Sequence, residues 1–474
     1  MASVQTIVFL SLVLDLFAFT IPLPLFPRLI QWYTERESSI PNGFLSRTLQ
    51  FVTAFRSLFY KSGAHSKRWD VVLLGGLMGS VFSTLQFLVS PRIGALSDRY
   101  GRKPILLLTM IGNLLSALIW IQSTTFASYM LSRVVGGLSE GNVQLAIAIL
   151  SDVTSPETRS KALAQVGIAF AICFCIGPPI GAYFASRPLP TSWNTYGIDL
   201  NVYAAPAFLT FVLLAAETAF LFFALPETRG KGKIPGVPAL TKLATKNGHI
   251  NGKEPAKPTR TVESRLGLLK SLRRLHFFYL AIFSGVEFTL TFLTFDLLDW
   301  SNTQNGMLIG SIGIISALLQ GGYVRRSMSK VGEGKMAARG VFSCALALVF
   351  LALLPRYVEN QLSLAMKLLQ LSAVCMAFTS ATVVNALTSF ASLQCDQGHV
   401  DEVTGKVTEE HPQLAKGKSL GQFRSSGQLG RAIGPLLACA SYWTFGPSAT
   451  YAVSAVAMLG LYAFMRPITK IKST

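Results

Sequence analysis

Lys161-Ala-Leu-Ala-Gln165, leading to Ile176-Gly-Pro178, and Lys418-Ser-Leu-Gly-Gln422, leading to Ile433-Gly-Pro435, are one phrase written twice. A single offset superimposes Lys161 on Lys418, Leu163 on Leu420, Gln165 on Gln422 and both Ile-Gly-Pro triplets without a gap. A second offset pairs Gly76 with Gly310, Gly79 with Gly313 and Gln86 with Gln320, and a third places Asp15 on Glu287. Matches in the same order along both halves mark the second half of the chain as a copy of the first. In a membrane chain, parallel repeats point to two helix bundles around a central cleft, an architecture for alternating access.

Composition places the chain in a bilayer. Of its 474 residues, 51% are hydrophobic and 14% charged, with a mean hydropathy of +0.46, whereas a soluble domain carries about 25% charged residues. That excludes a soluble enzyme, a secreted disulfide scaffold and a disordered chain. A hydrocarbon core about 30 Å thick needs about 20 apolar residues per helix. Such runs occur at 4–29, 70–92, 104–123, 127–151, 162–186, 203–225, 275–299, 304–324, 337–355, 361–393, 419–446 and 448–466, twelve in all. The first lacks a preceding basic segment and a small-residue cleavage site, so it reads as a span rather than a signal peptide. Pro22, Pro24 and Pro27 loosen its far end. The expected fold is therefore an all-α integral membrane protein with 12 transmembrane helices in two six-helix halves, residues 1–226 and 275–474, joined by a linker at 227–274.

The net charge of +19, from 42 Lys and Arg against 23 Asp and Glu, acts first on orientation. With both termini in the cytosol, 29 basic residues fall on the cytosolic side and 9 on the other, which satisfies the positive-inside rule. The linker alone holds 12 basic and 3 acidic residues among many Gly and Pro. It reads as a flexible segment against an anionic leaflet, not as a nucleic-acid arm. In the non-cytosolic loop 31–69, Phe44, Leu49, Phe51, Val52, Phe55, Leu58 and Phe59 share one helical face, the pattern of an amphipathic helix on the membrane surface. The six cysteines lie in or beside apolar runs, with neither a disulfide pair nor a metal-type spacing. No phosphate-binding Gly-x4-Gly-Lys-Ser/Thr loop and no Ser/His/Asp cluster can be drawn. No enzyme activity, cofactor or metal is expected.

Gly94-Ala-Leu-Ser-Asp98-Arg-Tyr-Gly101-Arg102-Lys103 resembles the loop motif between spans two and three of the major facilitator superfamily at every defining position. Arg133 with Gly137 is similar to its buried-arginine motif in span four, with Gly136 replacing the usual glutamine. Asp152 with Arg159 matches its acid-and-arginine pair after that span. Gly177-Pro-Pro-Ile-Gly181 resembles the span-five motif of its proton-coupled antiporters, with Ala182 where a second glycine is common, and Leu225-Pro-Glu-Thr228 its exit from span six. Leu14-Asp-Leu-Phe-Ala-Phe-Thr-Ile-Pro and Ser284-Gly-Val-Glu-Phe-Thr-Leu look most like the eukaryotic tetracycline-transporter-like members, regarded as organic-anion transporters. The resemblance covers almost the whole chain. It implies that spans 1, 4, 7 and 10 line the cleft, that 2, 5, 8 and 11 seal the seam between halves, and that 3, 6, 9 and 12 face lipid.

An ionisable side chain at a helix centre costs about 2.5–3.5 kcal/mol or more, so it faces a partner or a wet cavity. Asp15 and Glu287, midway along cleft-lining spans, are candidates to exchange a proton or to bind a cationic part of a cargo; the bland reading is a fixed ion pair. Arg133 is a candidate to hold a carboxylate in a proton relay, or it snorkels; Glu140, two turns on, is its candidate companion. Arg424 and Arg431 share a face of span eleven and suit a carboxylate, sulfate or phosphate, or they neutralise Asp15 and Glu287. Gln86, Asn142, Gln320 and Asn385 are buried amides able to orient a ligand or to bond across helices. Glu217 and Lys367 read as structural.

The loop motif has a mechanical reading. Asp98 is expected near the start of span eleven, where a carboxylate gains from free N–H groups and the helix dipole. Arg102 bridges to Asp152, and Arg159 adds a partner. This latch closes the cytosolic side, while Gly332-Glu-Gly-Lys335 takes its place in the second half, so the two latches are expected to be unequal. Gly177, Pro178 and Gly181 permit a bend and close packing. The function read from all this is secondary active transport of a small organic solute, as a monomer in the plasma membrane or an organelle membrane such as that of a vacuole or lysosome. Proton-coupled antiport of amphipathic organic anions or drugs leads; a uniporter and a non-transporting receptor or scaffold are the alternatives.

Overall fold

In hydrocarbon, a chain segment can satisfy its own N–H and C=O groups only by coiling, and every regular element among the described residues is helical. The structure, a computed structural model, describes residues 3–22, 25–37, 42–59, 66–185, 200–229, 261–300, 302–395 and 411–469. Most of the linker, residues 230–260, and parts of the loop 31–69 lie outside them. The first half comprises α1 (Val4–Thr20), α2 (Phe26–Arg36), α3 (Phe44–Phe59), α4 (Ser66–Tyr100), α5 (Arg102–Ile121), α6 (Phe126–Ser139), α7 (Asn142–Val153), α8 (Pro156–Ala185) and α9 (Ala204–Ala224). The second comprises α10 (Val262–Leu298), α11 (Asn302–Leu319), α12 (Arg325–Val331), α13 (Glu333–Leu353), α14 (Leu362–Gln394) and α15 (Lys416–Thr469). A π turn, Gln320–Val324, joins α11 to α12.

Ten stretches are long and apolar enough to cross a bilayer. One of them, α15, contains two of the expected spans, parted at Gly446, where φ is 81°. The shorter apolar α1 supplies the first, so the described residues account for all twelve. The short turns between spans two and three of each half repeat as well: Gly101 (φ 105°) and Gly332 (φ 88°) take positive dihedrals, which cost a glycine nothing. Helix ends differ from the apolar runs where side chains add support. The second half begins helically at Val262 rather than at 275, because Thr261 caps α10 and Leu268, Leu269 and Leu272 are buried. Arg265, in that added stretch, donates to the carbonyls of Gln394 (2.9 Å) and Cys395 (2.8 Å) at the open end of α14.

The helix in the loop 31–69 is α3. Leu45 and Val52 are buried on its inner face, which rests on α4, α6 and α15, and Phe44, Phe51 and Leu58 point outward. Arg56 anchors it to Asp70 at 2.7 Å. Below it, α2 is tied down by Tyr33, whose hydroxyl donates to the Ser123 carbonyl (2.9 Å) and accepts from Asn201 Nδ2 (2.7 Å). Burial pushes that phenol well above its ordinary range.

The halves meet along two seams, α4 against α15 and α8 against α11 and α14. Missing side chains set the approach. A Cβ at Gly94 would land on the Gly417 carbonyl, and one at Gly421 on that of Ser90, so both α4–α15 crossings are backbone to backbone. Within the second half, Gly434 lies against the Ala281 carbonyl of α10 in the same way. The periphery is apolar: Leu108, Ile111, Leu115 and Leu118 form an exposed stripe on α5, a surface suited to lipid. Gly434→Ala is expected to lower the melting temperature in detergent, at a cost of about 1–3 kcal/mol from overpacking. Gly310→Ala faces open space and should be neutral or stabilising through helix propensity; equal melting shifts for the two would refute this account of the crossing.

Candidate transport site and its latch

Span four does not cross as one helix. It breaks at Glu140, whose backbone is extended (φ −69°, ψ 97°), and at Gly141, before α7 restarts at Asn142. Non-helical backbone at membrane depth persists only where protein or a cavity takes up its polar groups. Here the break is lined with side-chain polarity. Asn142 Nδ2 donates to Asp15 Oδ1 of α1 at 2.5 Å, and its Oδ1 accepts from Thr109 of α5 at 3.3 Å. Asp15 and Asn142 are almost wholly buried. Glu140 lies within electrostatic reach of Asp15, and Arg424, from the second half, within reach of both. An acid pair on one half thus faces an arginine on the other.

Other candidate residues take different places. Arg133 stands apart from this group: its guanidinium lies 5.4 Å from the centroid of the Tyr129 ring and 5.7 Å from that of Trp120. It has no ion-pair partner among the described residues, so aromatic faces replace the carboxylate companion expected of it. Arg431 is exposed and sits within electrostatic reach of Arg424. Glu287 is exposed and outside the Asp15 group; it sits within electrostatic reach of Tyr279. Gln86 is buried on α4. Gln320 and Asn385 come together instead over Gly167 of α8, where a Cβ would strike both amides. Gln320 donates to Ser316 (3.2 Å) at the π turn, and Asn385 to the Ala381 carbonyl (3.1 Å).

Sequence reading missed two acids here. Glu217 of α9, read as structural, is buried at 1% exposure with one carboxylate oxygen unpartnered, and it lies within electrostatic reach of Asp15 and Glu140. Asp296, near the end of α10, accepts from the Tyr442 hydroxyl at 3.1 Å. Helical spacing from α1 to α9 cannot be read across a sequence gap, and Asp296 is masked by its position at the end of a run.

The latch lies on the side of the bundle from which the linker leaves. Asp98 accepts from the backbone N–H groups of Gly417 (2.9 Å) and Lys418 (2.7 Å) in the first turn of α15. It also pairs with Arg102 and Arg229, each at 2.8 Å. Arg102 pairs with Asp152 at 2.8 Å, and Lys416 reaches the same carboxylate at 3.1 Å. Arg159 donates to the carbonyls of Ser151, Thr154 and, across the seam, Ser392, each at 3.1 Å. Glu227, quoted in the sequence only as part of the exit from span six, accepts from the N–H groups of Arg102 (2.9 Å) and Lys103 (3.0 Å) and so caps α5. That gives the Leu225-Pro-Glu-Thr228 turn a physical task. At the second seam the corresponding contact is a hydrogen bond from Ser160 of α8 to Glu333 (2.5 Å). In α8, Gly177 and Gly181 lie so close to Thr20 and the Ile21 carbonyl that a Cβ at either would collide, with Pro178 between them.

The model of the Major Facilitator Superfamily matches residues 8–408. The chain belongs to that superfamily. Among its relatives, major facilitator superfamily domain-containing protein 10 of Bos taurus is 33% identical over 98% of this chain and 93% of its own, and the Homo sapiens protein 34% identical over 94% and 89%. Tetracycline resistance protein class B of Escherichia coli is 24% identical over 60% of this chain and 64% of its own. The crystal structure of the human organic anion transporter MFSD10 (TETRAN) superposes with a TM-score of 0.77 at 31% identity, covering 98% of this chain and 99% of that one. As a member of the superfamily, the chain is a multi-pass membrane transporter with the all-helical two-bundle fold.

The latch should govern opening on the linker side. Replacing one member of a buried ion pair costs about 3–5 kcal/mol, so Asp98→Asn should shift the protein toward the open state. Ser425 is buried at this seam, its hydroxyl donating to the Phe87 carbonyl at 2.7 Å. A Ser425→Cys thiol should therefore react with a hydrophilic maleimide several-fold faster in the Asp98→Asn background, read by peptide mass spectrometry. Unchanged labelling would show that the latch does not hold the seam.

Proposed function

We propose that the protein is a proton-coupled secondary transporter of amphipathic organic anions or drugs. In this reading it works as a monomer with both termini cytosolic, in the plasma membrane or an organelle membrane such as that of a vacuole or lysosome. The observation that carries the proposal is the buried Asp15–Asn142 hydrogen bond at the break in span four, with Glu140 and Arg424 in electrostatic reach. The relatives named for organic-anion transport and tetracycline resistance support the same cargo classes. A deprotonated acid pair holds Arg424. A proton on Asp15 or Glu140 releases that arginine, whose planar fork then suits a cargo carboxylate or sulfate. Breaking the latch turns the loaded site toward the linker side.

Coupling then depends on the cargo's charge. For an anion, proton and cargo favour the same state of the site and travel together. For a drug with a cationic group, cargo and proton compete for the acids, and the result is antiport; the sequence expectation of antiport covered anions as well.

Reconstituted vesicles with an imposed pH gradient test the assignment. Asp15→Asn, which keeps the shape of the side chain, should remove the gradient dependence of flux while leaving the melting temperature unchanged. Arg424→Gln should raise the KM for an anionic cargo roughly tenfold or more, as loss of a charged hydrogen bond implies, with little effect on a neutral solute. Flux that remains gradient-driven in Asp15→Asn would overturn the proton assignment.

A further inference from the structure

Outside the cleft, two grooves flank the linker-side part of α10, between Leu266 and Ile282. The larger, about 550 Å³, opens between α10, the start of α15 and α4. Lys270, Arg273 and Arg274 line it, together with Gln422 and Ser426. Phe87, Phe277 and Leu429 supply apolar wall. The smaller, about 450 Å³, shares Arg274 and is otherwise apolar, with Phe278, Ile282 and Phe464 among its walls. Gly460 lies on this groove, and a Cβ there would meet nothing within 4 Å.

Among the described residues, no carboxylate opposes the charges at this place. Arg273 donates to Gln422 Oε1 at 3.0 Å, but none of the three basic side chains has an ion-pair partner among the described residues, and no Asp or Glu lines either groove. Elsewhere on this side the basic groups of the latch are paired with carboxylates at 2.8–3.1 Å. Lys270 and Arg274 are exposed, as is Phe278 beside them. A cationic rim with an apolar groove running away from it, at a membrane-facing surface, has the shape and charge of an anionic amphiphile's counterpart. A free anion would satisfy the rim and leave the apolar grooves empty.

We propose that these grooves bind an anionic phospholipid. The phosphate sits among Lys270, Arg273 and Arg274, and an acyl chain lies along Phe278 and Phe464. Phe87 belongs to the first half and the remaining wall to the second, and the Ser425 hydroxyl closes on the Phe87 carbonyl beside the groove. A lipid seated there touches both halves and favours the state in which this seam is closed.

Native mass spectrometry of the full chain in detergent tests this directly and reads binding, not flux, so it is independent of cargo and coupling. Phosphatidylserine should be retained roughly tenfold or more over phosphatidylcholine with the same acyl chains. The Lys270→Gln/Arg274→Gln double variant should lose that preference. Gly460→Leu, which fills open space, should weaken retention of both lipids while leaving the melting temperature intact. Arg325 and Arg326, exposed on the same side, provide a charge-matched control: their double Gln variant should bind as the parent does. Equal retention of phosphatidylcholine, an unchanged Lys270→Gln/Arg274→Gln variant, or an equal loss in the Arg325→Gln/Arg326→Gln control would overturn the proposal. So would displacement of the lipid by inorganic phosphate at equimolar concentration, since the site would then be one for a free anion.

Discussion

The carboxylate of Asp98 receives N–H groups from Gly417 and Lys418 at the start of α15, from Arg102 at the start of α5 and from Arg229 beyond α9. One side chain therefore gathers the start of α5 four residues on, the first residues of the linker and the first turn of α15 in the second half. A charge removed from water is tolerated only when its lone pairs are fully occupied. Losing these partners has to be made good by water, which reaches the edge of the cluster at Lys418 and Arg229. Arg102 carries the constraint onward to Asp152, which Lys416 also reaches from the far half. Glu227 holds the helix end on which Arg102 sits. With Gly94 and Gly417 backbone to backbone, the linker side is closed.

The broken span gains its meaning from that closure. The interruption at Glu140 and Gly141 brings an acid, a helix start and an amide to the level of Asp15. Arg424 enters from α15, the same helix whose first turn Asp98 caps. Any movement that frees the cap moves the helix that carries the arginine. Latch and candidate site thus share one helix.

The repeated halves are not mechanically equivalent. The α4–α15 seam rests on ion pairs and helix-end N–H groups, whereas the α8 seam rests on the Ser160–Glu333 hydrogen bond and the carbonyl contacts of Arg159. The second half also carries a π turn at Gln320–Val324 in the span that corresponds to the uninterrupted α4. Duplication preserved the glycine turns at Gly101 and Gly332 and the Ile-Gly-Pro triplets, while polar contacts diverged.

The number and order of spans, the duplication and the contacts of Asp98 and Asp152 with Arg102 were legible in the sequence. Apolar run length, residue spacing and charge sign are properties of the chain in one dimension, and lipid leaves an apolar run little choice but a helix. Only the tertiary structure decided which buried charges meet. It joined Asp15 to Asn142 and brought Glu140, Glu217 and Arg424 within reach, seated Arg133 on Tyr129 and Trp120, and left Glu287 outside. It also ended α6 at a glutamate in a run apolar enough to continue. Those outcomes depend on how each helix is rotated and where it crosses its neighbours, and these are set by packing between segments that no single run of sequence contains.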